Sequence, residues 1–371
     1  MMLVNPLIKW PGGKSGEIEY IKNIIPSSYD RYVEPFCGGA AVYFYLEPQK
    51  AIINDISANL TSFYELIKNQ DAFFKYYMYE LNAMWEDIKN KTQANIYRIK
   101  ALFKQYKQGE ITKVTSDAEL KCFVEFILTE NTPYVLEVEL LSKEINRTLK
   151  DKFYRTYKNE LKLNVDLTDE DLENNLLTGV TGGIYMAARS EFNKLEHLSE
   201  LTKDRHSKKV ALFYFVREFC YGSMFRYNRN GDFNIPYGGI GYNNKDYKRK
   251  LDAIFNQSTI DILKNTEIMN NDFEAVFEHL TKKDFVFLDP PYDTDFSDYE
   301  NKSFGKEDQE RLAKALEKTA AKFILIIKNT PYIYSLYNKE CFKIRSFDNT
   351  YSYCVKGRNN RSSEHLIITN Y

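Results

Sequence analysis

Uninterrupted apolar runs mark the strands of this chain, and helical spacing fills the intervals between them. Phe285, Val286, Phe287 and Leu288 follow one another without a polar residue, and residues 323–327 do the same. A strand covered by helices on both faces reads this way, because neither face needs polar side chains. Residues 32–34 and 51–55 predict shorter strands near the N-terminus, and residues 267–273 and 365–368 predict two more. Helical spacing runs over residues 17–25, where Pro26 stops it, and again over 40–46, 57–68 and 307–318. Strands alternating with helices predict an α/β fold, one sheet with helices on both faces. Residues 71–210 break the alternation, being long, polar and helical in pattern with little strand signal. The expectation is a discontinuous α/β domain, residues 1–70 and 246–371, interrupted by a mainly helical domain, residues 71–245.

The ends of the predicted strands carry the candidate chemistry. Asp289 follows the run 285–288 at once, and Pro290 and Pro291 then forbid further ladder pairing and hold the backbone in an extended turn, with Tyr292 beyond them. An acid, a rigid turn and an aromatic are how an α/β sheet presents a site at the carboxyl edge of its strands. Glu34 to Gly39 is a strand end running into a glycine turn, where a ligand can lie against backbone at a helix N-terminus. Asp55 ends the second strand about 20 residues later, placed either to accept from ribose hydroxyls or to cap the helix 57–68. Residues 11–15, PGGKS, end like a phosphate loop. That motif needs glycine where Ile8 stands, so the segment reads instead as a turn bringing backbone N–H groups and Lys14 close to an anionic group.

Two features of the middle of the chain admit a nucleic-acid reading and a structural one. Arg98, Lys100, Lys104, Lys107, Lys143, Arg147, Lys150, Lys152, Arg155, Lys158 and Lys162 recur at near-helical spacing among tyrosines and phenylalanines. They are either solvated helix faces laced with acids or a phosphate-contacting surface. Residues 211–241 lead from an aromatic helix into a glycine-rich loop holding Arg226 and Asn228. Arginine and asparagine make paired hydrogen bonds to guanine and adenine edges, so the loop is either a base reader or a loop packed by its own aromatics.

Charge and cysteine usage narrow the setting. With 51 basic and 52 acidic residues the net charge is −1, which excludes a globally basic nucleic-acid footprint and leaves room for a local one. Five cysteines without a CxxC pair and four histidines give no zinc-site spacing. The N-terminus lacks a signal layout and no apolar run approaches the roughly 18 residues of a membrane span, so the expected compartment is the cytoplasm, at the nucleoid.

Together these segments resemble the Dam-type DNA adenine-N6 methyltransferases. The residues that carry the resemblance are PLIKWPGGK (6–14), VEPFCGGAAV (33–42), INDISANLTSFYELIK (53–68), RSEFNK (189–194), FRYNRNGDFNIPYG (225–238), FLDPPY (287–292) and SEHLIITNY (363–371). Roughly residues 75–180 fall outside these motifs and read as an insert. The resemblance implies a Rossmann-like methyltransferase sheet, S-adenosyl-L-methionine as cofactor and double-stranded DNA as substrate. The reaction implied is transfer of a methyl group to N6 of a flipped-out adenine, within GATC or a related site, by a solitary enzyme or one paired with a cognate restriction endonuclease. No metal and no membrane are implied. Trp10, Lys14, Glu34, Phe36, Gly38, Asp55, Asp272, Phe273 and Asp289 match the family's cofactor contacts. Lys9, Tyr221, Met224, Arg226, Asn228 and Pro236 match its DNA contacts, and Asp289, Pro290 and Tyr292 its catalytic turn. Where the family's reading loop often has Tyr-Asn-Gly-Leu, this chain has Tyr221-Gly222-Ser223-Met224, which leaves the base sequence open.

The chemistry of the motif agrees. The lone pair of the adenine amine is delocalised into the ring; acceptors at Asp289 and the Pro290 carbonyl would take its two N–H groups and localise that pair for attack on a methyl group. Tyr292 would stack on the base, worth ~1–3 kcal/mol. Cytosine-C5 methylation is excluded, since no Pro-Cys dipeptide supplies its nucleophile. The alternatives are methylation of an exocyclic nitrogen in RNA or an amide nitrogen of protein, or a DNA-binding protein with a vestigial catalytic domain.

Overall fold

In the computed structural model, which describes residues 6–13, 16–128, 134–291, 304–350 and 362–371, the uninterrupted apolar runs form the middle of one sheet. The chain opens with α1 (Ile18–Ile21), β1 (Arg31–Glu34), α2 (Ala41–Leu46), β2 (Ala51–Asn54) and α3 (Ala58–Lys68). A helical stretch follows: α4 (Ala72–Ala94), α5 (Ile96–Lys107), α6 (Lys113–Leu128), α7 (Val138–Leu163), α8 (Asp169–Glu196) and α9 (Lys203–Phe219). The chain returns through α10 (Tyr247–Ile254), α11 (Gln257–Lys264), β3 (Thr266–Met269), α12 (Phe273–Phe277) and β4 (Asp284–Leu288). It closes with α13 (Lys306–Lys318), β5 (Lys322–Lys328), α14 (Pro331–Tyr337), β6 (Lys343–Thr350) and β7 (Ser362–Thr369). Two compact units result: residues 1–70, 225–231 and 253–371 form one, residues 71–224 and 232–252 the other.

The first unit holds the seven-stranded sheet, in the order β3-β2-β1-β4-β5-β7-β6. The first five strands of that order are parallel, and β7 runs antiparallel to both neighbours. Ile52, Val33, Val286 and Phe323 lie level across four strands, and every residue of β4 is buried. Val33, Val286, Leu288, Phe323 and Leu325 share one face with Phe273, Leu312, Leu316 and Ile333 of α12, α13 and α14. On the other face Tyr32 meets Tyr43 of α2 at 6.3 Å between ring centres. Helices therefore cover both faces, which is why the polar residues of β4 and β5 are confined to the strand ends, at Asp284, Lys322 and Lys328. From β1 the strand order runs one way to β2 and β3 and the other way to β4 and β5, so a crevice opens at the carboxyl ends of β1 and β4.

Two predicted elements are corrected. The strand expected over 267–273 ends at Met269, and Phe273 begins α12, because Asp272 accepts the Glu274 amide at 3.0 Å and caps that helix. The helix expected over 17–25 reduces to the single turn of α1. Four elements, α10, α11, α14 and β6, were not expected from the sequence.

The elements described in the main segment of the second unit are all helices. α7 and α8 approach closely: a Cβ at Gly183 would stand 2.4 Å from Ile145 Cα, and Thr148 Oγ1 donates to the Gly179 carbonyl at 2.7 Å. Several basic residues of this unit are neutralised. Lys100 pairs with Glu173 at 2.5 Å, Lys107 with Glu160 at 2.7 Å, Arg147 with Glu144 at 2.7 Å and Lys150 with Asp117 at 3.7 Å. For these the solvated-face reading holds. Lys143, Arg155, Lys158 and Lys162 are exposed on α7 and have no carboxylate partner among the described residues.

Candidate active site

The crevice at β1 and β4 is a cleft of about 330 Å³, lined by residues of the first unit. Its tightest point is the glycine turn after β1. Gly38 has φ +47°, and a Cβ there would lie 2.6 Å from Trp10 Cδ1, so only glycine lets the indole rest on the turn. Trp10 is held by its own turn, in which the Gly13 amide donates to the Trp10 carbonyl at 3.2 Å, and by the Phe225 ring at 4.5 Å. The Gly38 carbonyl accepts from Tyr64 of α3 at 2.8 Å, and the Gly38 amide donates to Asp55 Oδ2 at 2.9 Å.

Asp55 projects from the end of β2, and its Oδ1 accepts the Ser57 amide at 3.0 Å. The N-cap of α3 is Ser57, whose hydroxyl accepts from the Leu60 amide, so the capping alternative for Asp55 falls away. Burial raises the Asp55 pKa above its usual value, and the amides of Ser57, Gly38 and Ile56 oppose that rise. Asn54, one residue earlier, ties three segments together. Its Nδ2 donates to the carbonyls of Pro35 at 2.9 Å and Asn271 at 3.0 Å, and its Oδ1 accepts the Asn271 amide at 3.0 Å.

Glu34, at the end of β1, is buried and accepts from the Tyr32 hydroxyl at 3.0 Å. Burial pushes its carboxyl well above the usual range; the Tyr32 hydrogen bond opposes this, and the nearby carboxylates of Asp289 and Asp55 add to it. An aromatic wall faces these acids. The Phe36 ring lies 5.4 Å from Phe273 and 5.5 Å from Phe304, centre to centre. Asp272, which also lines the cleft, is bound by Arg311 at 2.7 Å. At the end of β4, Asp289, Pro290 and Pro291 complete the lining. The side chain of Gln309 on α13 donates to the Pro291 carbonyl at 3.1 Å.

The cleft thus gathers Trp10, Glu34, Phe36, Gly38, Asp55, Asp272, Phe273, Asp289 and Pro290. Lys14 and Tyr292 lie outside the described residues. In the same unit Lys9 and Arg226 are exposed, and Asn228 shapes a turn, its Oδ1 accepting the Asn230 amide at 2.9 Å. In the second unit the Tyr221 amide donates to the Pro236 carbonyl at 2.9 Å, and the Met224 carbonyl accepts from buried Arg217 at 2.6 Å. Tyr221 and Pro236 are exposed there, and Gly222 between Tyr221 and Met224 takes the left-handed conformation, φ 62°. Sequence reasoning missed Asn54, Tyr64, Arg217 and Gln309. Asn54 offered the signal of a polar residue ending an apolar strand; the other three sit inside helical patterns that announce only packing.

A mostly parallel sheet of this order with an antiparallel β7, and with a glycine turn, a strand-end acid and an Asp-Pro-Pro turn around its switch-point cleft, defines a Rossmann-like methyltransferase. The chain matches the model of the D12 class N6 adenine-specific DNA methyltransferases over residues 10–174 and 144–353, and it belongs to that family. It is similar to the type II methyltransferase M.CviBI of Paramecium bursaria Chlorella virus NC1A, 27% identical over 99% of this chain and 100% of that protein. It is also similar to the type II methyltransferase M.MjaIII of Methanocaldococcus jannaschii, 27% identical over 87% of this chain and 84% of that one. The DNA adenine methylase of Haemophilus influenzae is 26% identical over 91% of this chain and 84% of its own length. The activity is therefore site-specific methylation of adenine in DNA. The family match takes in much of the segment 75–180 that the motifs left uncovered. Among the described residues no helix is long and apolar enough to cross a membrane, and no group of three or more His, Cys, Asp or Glu side chains could hold a metal ion.

Proposed function

We propose that the cleft binds S-adenosyl-L-methionine and that the Asp289-Pro290 turn receives an adenine flipped from double-stranded DNA. The observation that carries this reading is that Asp289 and Pro290 line the same cleft as Gly38 and Asp55. The residues fit the cofactor: the acidic side chains of Glu34, Asp55 and Asp289 suit a cationic ligand, whose charge would favour their ionised forms, and the wall of Phe36, Phe273 and Phe304 suits an adenine ring. When bound, the cofactor supplies a methyl group on a positively charged sulfur. Trp10, Lys14, Glu34, Gly38 and Asp272 complete its contacts in this reading, with Asp55 accepting from ribose hydroxyls.

The rest of the chemistry belongs to the chain. Asp289 accepts one N–H of the adenine amine and the Pro290 carbonyl the other, which localises the nitrogen lone pair; Tyr292 stacks on the base. Lys9, Tyr221, Met224, Arg226, Asn228 and Pro236 contact the DNA, and residues 71–245 serve as the target-recognition domain. The exposed cations of α7 add phosphate contacts. The target is GATC or a related site, and the enzyme protects DNA against a cognate restriction endonuclease, as the type II names of two relatives suggest.

Sequencing of modified bases in the genome of a methylation-free host expressing the protein tests this. The expected outcome is N6-methyladenine at one short sequence. Methylation spread over many unrelated sequences, or confined to RNA, would contradict it.

A further inference from the structure

A turn made of two consecutive prolines has no backbone donor of its own. Pro290 and Pro291 both lack an N–H, so neither can be tied down through an amide, and only their carbonyl oxygens remain as anchor points. One contact to this turn from outside it comes from α13, where Gln309 Nε2 donates to the Pro291 carbonyl at 3.1 Å. Gln309 is fully buried. Its Oε1 is also buried and has no hydrogen-bond partner among the described residues. An unpaired buried amide oxygen is costly, and an apolar side chain of the same shape would avoid that cost. A glutamine in this position therefore earns its place through the donor half of the amide.

The helix that carries it is a firm platform. Leu312, Ala313 and Leu316 of α13 sit in one buried cluster with Leu288 of β4 and Leu325 of β5. Its first turn is closed by the Gly305 amide donating to Asp308 Oδ2 at 3.0 Å, with Arg311 on the other carboxylate oxygen at 2.8 Å. Gln309 connects this platform to the turn that follows Leu288.

We propose that Gln309 is a positioning residue for methyl transfer, holding the Asp-Pro-Pro turn so that the Asp289 carboxylate and the Pro290 carbonyl keep the spacing that two N–H groups on one nitrogen require. The inference rests on the reading of that turn as the acceptor of the adenine amine. Misplacement of such acceptors by about 1 Å slows a reaction about 100-fold without touching the remainder of the site. Loss of the Gln309 donor therefore lowers kcat and leaves cofactor binding alone.

The test uses the full-length protein, its methylated DNA sequence and four forms: wild type, Gln309→Met, Gln309→Glu and Asp289→Ala. Single-turnover rate, affinity for S-adenosyl-L-methionine by calorimetry and unfolding temperature are measured for each. Gln309→Met, which keeps the shape and removes the donor, is expected to lower the rate about 10- to 100-fold with cofactor affinity and unfolding temperature unchanged. Gln309→Glu supplies a donor only while its carboxyl is protonated. Burial, Asp308 beside it in the helix and Asp289 two residues before the bonded carbonyl all favour the proton; Arg311, bound to Asp308, works against it. Its rate relative to wild type is expected to rise as pH falls. This variant carries the test if Gln309→Met does not fold. A wild-type rate in Gln309→Met, a Gln309→Glu ratio that is flat with pH, or a rate loss that only follows falling stability overturns the inference. If Asp289→Ala is inactive in any of these cases, the reading of the turn survives and the Gln309 inference alone falls. If Asp289→Ala keeps the wild-type rate, both fall.

Discussion

Glu34 shows how a single buried side chain sets a pH dependence. It lies among Asp55 and Asp289 with a hydrogen bond from Tyr32, and burial raises its pKa well above the usual 4.5. Below that usual value the carboxyl is neutral in both folded and unfolded chains and costs nothing. As pH rises toward and through the folded value, the unfolded chain ionises first and the folded state loses stability. Glu34→Gln removes this term. The unfolding temperature of the wild type, measured without cofactor, is therefore expected to fall relative to Glu34→Gln as pH rises from about 5 to 8. A difference that does not change with pH would remove the buried acid from the account. At this scale the sequence showed Gly38, Asp55 and Asp289 clearly, because each breaks the apolar pattern at a strand end. Asn54, Tyr64 and Gln309 act instead on the backbone of distant segments, through contacts 18 to 217 residues apart such as Asn54 to Asn271, and no local pattern records those.

Among the elements, the strands buried on both faces were legible, since β4 and β5 consist of little but apolar residues. Less central elements were not. β6 forms the edge of the sheet and its side chains at 343–347 alternate unevenly between exposed and half-buried, so its sequence lacks either strand signature. α14 did carry start signals, Thr330 accepting the Ile333 amide and Pro331 at the first position, but it is only seven residues long. The predicted strand over 267–273 ran too far because the capping role of Asp272 competes with strand continuation. In the helical unit, the end of α9 places Glu218 fully buried against Lys245 at 2.8 Å and Lys250 at 2.5 Å. Burial works to raise the Glu218 pKa, and the two ammonium groups outweigh it and lower it. Removing one cation leaves a buried charge half compensated. Lys245→Met is expected to destabilise the protein by about 3 kcal/mol in denaturant unfolding. A loss under about 0.5 kcal/mol, the range of ordinary surface substitutions, would show that Lys250 alone compensates the buried carboxylate.

For the whole molecule, one sheet with a discontinuous sequence brings the chemistry together. The glycine turn and Asp55 come from the first 70 residues, and Asp272, Asp289 and the α13 platform from the last 120 or so, yet all line or brace one cleft. The sequence told of this only in pieces. Each motif was visible, while the switch between β1 and β4 that joins them depends on strand order, which periodicity does not encode. Net charge told less: the near balance of 51 basic and 52 acidic residues conceals an ion-paired α5 and an α7 on which Lys143, Arg155, Lys158 and Lys162 are exposed with no carboxylate partner among the described residues. The acid at the end of the central strand is proposed to prepare an adenine amine for methylation. The most direct measurement is the single-turnover rate of N6-methyladenine formation in Asp289→Ala against wild type, with cofactor saturating and DNA carrying the recognised site. A fall of about 10²- to 10³-fold or more is predicted, from loss of one preorganised acceptor. A rate within about tenfold of wild type, less than 1.4 kcal/mol of barrier, would contradict the account.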